Sequence, residues 1–60
     1  ISEVRVRCQG STARIEIPQD ELQIFFKEYD FNKLVNYFSI LGFNCTSLDL
    51  EGLISGKLNR

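Results

Sequence analysis

The stretch Val4-Arg5-Val6-Arg7-Cys8-Gln9-Gly10-Ser11-Thr12-Ala13-Arg14-Ile15-Glu16-Ile17 decides the fold. Two runs alternate at period two on either side of a glycine turn. Alternation sends Val4, Val6, Cys8, Ala13, Ile15 and Ile17 to one side and Arg5, Arg7, Arg14 and Glu16 to the other. The stretch reads as a β-hairpin with one core face and one compact charged face. Whether the loop is Gly10-Ser11 or the longer Gln9 to Thr12, the register is the same: Arg5 lies opposite Glu16, and Arg7 lies opposite Arg14. The first pairing is favourable by about 0.2–1 kcal/mol, and two arginines directly opposite repel by a similar amount unless an anion lies between them. That repulsion marks the charged face as a candidate anion site. The alternative is that both guanidinium groups reach into water or pair with carboxylates elsewhere.

Beyond the hairpin, Pro18 ends the second strand, and Asp20-Glu21 suits a helix start, where negative charge meets the positive end of the helix dipole. Leu22, Phe25, Phe26 and Tyr29 then follow helical spacing and read as one core-facing stripe. Asp30 is placed as an N-cap, opening a second helix with Phe31, Leu34, Val35, Phe38 and Leu41 on one face. Gly42 suits the left-handed position past its end, and Phe43 is placed to fold back on the last turn as in a Schellman motif. Cys45 to Glu51 alternates again, with Leu48 and Leu50 on one side and Asp49 and Glu51 on the other, as a third strand.

The expected fold class is therefore α+β, in the order ββα(α)β, a three-stranded mainly antiparallel sheet with helices packed on one face. A helical crossover makes the third strand parallel to the second; placed beside the first strand it would be antiparallel to it, for a sheet order 2-1-3.

The 60 residues make one domain, and a chain of this length buries only about 60 % of its unfolded surface. It starts with Ile1 and contains no methionine, so residues 1–60 are expected to be a small domain cut from a longer protein. A net charge of −1 and a pI near 5.2 give no general attraction to nucleic acid. No apolar run approaches the roughly 20 residues that cross a bilayer, and no signal-peptide pattern opens the chain, so a cytoplasmic location without membrane contact is expected. Cys8 and Cys45 lack CxxC spacing, and the chain has no histidine. Both are read as small buried hydrophobes, no metal site is expected, and no Cys-His or Ser-His hydrolase can be built from these residues alone. Gly52 to Lys57, with two glycines, Ser55 and Lys57, suggests an ordered turn or a small anion-binding loop that does not match a P-loop.

The runs RVRCQGSTARIEIP, LGF and LDLEGLISGKLN resemble the C-terminal part of a known family. They are similar to the ATP-dependent sacrificial sulfur transferases of the PP-loop (adenine nucleotide alpha hydrolase) superfamily, the LarE-type enzymes of nickel-pincer cofactor synthesis. The resemblance covers nearly the whole chain. It implies an enzyme that adenylylates a carboxylated pyridine-type small molecule with ATP and then donates sulfur, in many members from one of its own cysteines. ATP and the sacrificial cysteine would belong to an N-terminal PP-loop domain upstream of Ile1, with no cofactor held here, and neither Cys8 nor Cys45 matches that cysteine.

Carried over by position, Arg5, Arg7 and Glu16 match places near the substrate or phosphate region, with Arg14 beside them and Asp49, Glu51 and Lys57 as further candidates. No catalytic residue is expected in this piece. The family's closing GYRSG carries a tyrosine and an arginine where this chain has Leu53 and Ile54, a loss of a bidentate donor that no aliphatic chain imitates. Cys8-Gln9 stands where relatives often show histidines. The resemblance also implies a homo-oligomer as the full-length protein, and the competing expectation is a non-catalytic oligomerisation or protein-interaction module.

Overall fold

The computed structural model describes residues 3–53. The elements run β1 (Arg5–Gln9), β2 (Thr12–Glu16), a 3-10 turn (Gln19–Glu21), α1 (Leu22–Glu28), α2 (Phe31–Ile40) and β3 (Cys45–Leu48). This is the expected ββααβ order and an α+β domain.

The hairpin has the register that the sequence dictates: Arg5 opposite Glu16 and Arg7 opposite Arg14, closed by Gln9 opposite Thr12. The loop is thus the two-residue Gly10-Ser11. Gly10 takes φ +57, while no non-glycine among the described residues, Ser11 included, has positive φ, which is the sign pattern of a II′ turn with glycine at its first central position.

The helices are punctuated as their residues predict. The Asp30 carboxylate accepts from the Asn32 and Lys33 N–H groups at 3.0 and 3.3 Å and caps α2. At the other end Gly42 N–H donates to the Ser39 carbonyl and Phe43 N–H to the Phe38 carbonyl, both at 3.0 Å, the two bonds of a Schellman motif. The Phe43 ring completes it by meeting Phe38 edge-on at 6.0 Å.

Sheet order departs from the expectation. The strands lie β1-β2-β3, with β3 parallel to β2 from Thr12↔Cys45 to Ile15↔Leu48, so the sheet is mixed and β2, not β1, is central. The cause is burial: Ala13, Ile15 and Ile17 are all buried, whereas Val4 and Val6 of the first run stay exposed. The strand with the most apolar surface to hide takes the middle, and the charged β1 takes an edge. Asn44 N–H donates to the Ser11 carbonyl at 2.8 Å, tying the entry of β3 to the hairpin loop.

The helix stripes are only partly core. Leu22, Phe25 and Phe38 join Ala13, Ile15 and Ile17, with Leu34, Phe43 and Leu48 packed against them. Phe26, Phe31 and Val35 remain 48, 46 and 50 % exposed. They border an open hollow of about 250 Å³ between the joint of the two helices and β3, whose lining contains no charged residue. Two small helices over a three-stranded sheet cannot cover their own apolar stripes and the sheet together.

Both cysteines are exposed rather than buried. Cys8 lies on edge strand β1. Cys45 alternates with Thr46 and Leu48, which pair with the core residues Ala13 and Ile15, and so points to the opposite face of the sheet.

Candidate functional site

The charged face of the sheet is organised by one buried acid. Glu16 is 1 % exposed, and its two carboxylate oxygens go to different arginines: Oε1 accepts from Arg7 Nε and Oε2 from an Arg14 terminal nitrogen, each at 3.0 Å. Glu16 is diagonal to Arg7 across the hairpin and two residues from Arg14 on its own strand. It is the anion that the Arg7–Arg14 juxtaposition requires, and the chain supplies it internally.

Arg5 is placed differently from its expected pairing. It is opposite Glu16 in register, but both carboxylate oxygens face Arg7 and Arg14, and Arg5 stays exposed. The reason is geometric: a glutamate on a twisted hairpin reaches a diagonal neighbour as well as a direct one, and here the diagonal Arg7 and the same-strand Arg14 together offer two guanidinium groups in place of one.

Burial alone pushes the Glu16 carboxyl up, but the hydrogen bond and charge of Arg7, joined by those of Arg14, outweigh it and hold the group below the ordinary glutamate range. The arginines differ in their surroundings. The Arg7 side chain is 31 % exposed and uses its Nε on Glu16, leaving its terminal nitrogens without a partner among the described residues. Arg14 is 16 % exposed, and its Nε is buried with no hydrogen-bond partner among the described residues.

Asp49 arrives from β3. Continuing the parallel register by one residue brings it abreast of Glu16, and its N–H donates to the Ile15 carbonyl at 2.9 Å. Asp49 is buried instead of lying on an exposed face, and Leu50 is exposed instead of inward. The strand stops here because the Asp49 carboxylate accepts from the Glu51 N–H at 3.0 Å and bends the chain into an Asx turn. Gly52, at φ +79, closes that turn against the end of β2, where Leu53 N–H donates to the Ile17 carbonyl at 2.7 Å.

The structure therefore brings Arg7, Arg14 and Glu16 into one bonded cluster, with Arg5 and Asp49 on either flank of Glu16. Glu51 is exposed on the Asx turn. Lys57 and Ile54, and with them most of the Gly52 to Lys57 loop, lie outside the described residues. The role of Glu16 as keystone is what sequence reasoning missed. Its signal was present in the register, where Glu16 is diagonal to the very arginine that faces Arg14.

Among the described residues no group of three or more metal-ligating side chains gathers, and no helix is long and apolar enough to cross a membrane. No family model matches the chain. The chain is 46 % identical over 59 residues to an uncharacterized protein of Synechocystis sp., slr1717. That match takes in 98 % of this chain but only 22 % of the relative, so the chain spans about a fifth of the length of the curated protein it matches.

Proposed function

We propose that this chain is a domain of an ATP-dependent sulfur transferase of the LarE type, and that its charged sheet face supplies positive charge to a carboxylated or phosphorylated small molecule. The observation that carries this reading is convergence. The RVR, ARIE and LDLEG pieces that resemble the family are separate in sequence, yet β1, β2 and the end of β3 bring Arg5, Arg7, Arg14, Glu16 and Asp49 to one region of the sheet.

Glu16 acts here as a positioning residue. It is buried and fully engaged by two guanidinium groups, so it fixes their planes instead of meeting a ligand itself. Its negative charge offsets one of the two arginines it holds and that of neighbouring Asp49 a second, so with exposed Arg5 the region keeps one net positive charge. That balance suits one phosphate or carboxylate, gripped by the terminal nitrogens of Arg7 together with Arg5. A neighbouring PP-loop domain would hold ATP, whose chemistry there is adenylylation of the substrate carboxylate. The domain contributes binding charge and no nucleophile, in a cytoplasmic enzyme.

Titrating the chain with phosphate and with AMP, followed by arginine side-chain NMR, tests this. Saturable shifts on Arg5 and Arg7 that disappear in Arg7→Ala are expected. In the full-length protein Arg7→Ala lowers sulfur transfer at unchanged oligomer size; absence of both effects overturns the reading.

A second reading, an assembly or protein-interaction module, is favoured by the half-exposed Phe26, Phe31 and Val35. Under it, Val35→Glu dissociates the full-length oligomer and Arg7→Ala leaves sulfur transfer intact.

A further inference from the structure

We draw no further inference here: the strongest candidate, the apolar hollow of about 250 Å³ between the α1–α2 joint and β3, bordered by Phe26, Phe31 and Val35, is an unpartnered apolar face, and nothing in the structure shows what covers it.

Discussion

Replacing Glu16 by glutamine keeps the side chain's shape and removes its charge. The amide oxygen still accepts from one arginine, but the amide nitrogen now faces the donors of the other. Each hydrogen bond to a charged group contributes about 1.5–3 kcal/mol when buried. The Arg14 bond, at 16 % exposure, carries nearly that value, whereas the Arg7 bond, at 31 %, weighs nearer the 0.2–1 kcal/mol of an exposed pair at roughly the surface limit. Glu16→Gln is therefore expected to cost about 2–4 kcal/mol. A domain of this size has only about 3–9 kcal/mol in total, so the variant sits near its unfolding threshold.

Urea denaturation at neutral pH measures the difference, with Arg5→Gln, expected within about 0.5 kcal/mol of wild type, as the control. The pH dependence carries the same signature. Because the folded carboxyl titrates below its unfolded value of about 4.3, its stabilisation is present above that value and is lost as pH falls through the lower folded value. The wild-type and Glu16→Gln stabilities accordingly converge in acid. A neutral-pH loss under about 0.5 kcal/mol, or a difference that persists undiminished in acid, refutes the keystone role.

Gly52→Ala is expected to destabilise the fold by more than Gly10→Ala. A Cβ on Gly52 would lie 2.5 Å from the Ile17 carbonyl oxygen and 2.8 Å from the Gln19 nitrogen, whereas Gly10 has nothing within 4 Å and meets only the cost of positive φ, about 1 kcal/mol; thermal unfolding of both variants ranks them. Asp30→Ala removes the two-bond cap of α2 and is expected to cost about 1 kcal/mol, read by denaturation and by faster amide exchange at Asn32 and Lys33. Cys8 and Cys45 lie on the two edge strands and face opposite sides of the sheet, with roughly 9–10 Å between strand positions, too far for a disulfide. Both are expected to react promptly with a thiol reagent in the folded protein, and one slow cysteine would contradict the placement.

What was legible in the sequence was what neighbouring residues settle among themselves. The hairpin register follows from alternation about Gly10, the α2 cap from Asp30, and its stop from Gly42 and Phe43. Sheet order was not legible, because placing β3 beside β1 or β2 compares the burial of strands far apart in the chain, and both arrangements satisfy the same local patterns. Asp49 illustrates the same limit at the site. Alternation placed it on an exposed strand face, but the register sets it beside Glu16, where it is buried, and its carboxylate accepts from the Glu51 N–H as the strand ends. The cysteines and half the aromatic stripe read as core because period alone marks a face as apolar and says nothing of whether the opposing layer is wide enough to cover it.

The tie between the Asn44 N–H and the Ser11 carbonyl has a consequence for how the domain is assembled in time. The hairpin needs only a two-residue loop and forms on a scale of about 1–10 μs, and each helix closes within its own contacts at least as fast. The central strand nonetheless keeps one edge unpaired until the chain from Ser11 to Asn44 has doubled back, since β3 is its remaining neighbour. Closing that long loop is an entropic step that gains little until Asn44 and Cys45 dock. The rate-limiting event of folding is thus assigned to the return of β3. A variant that weakens the Asn44–Ser11 junction slows folding more than it speeds unfolding, while the nascent hairpin stays an open template in the meantime.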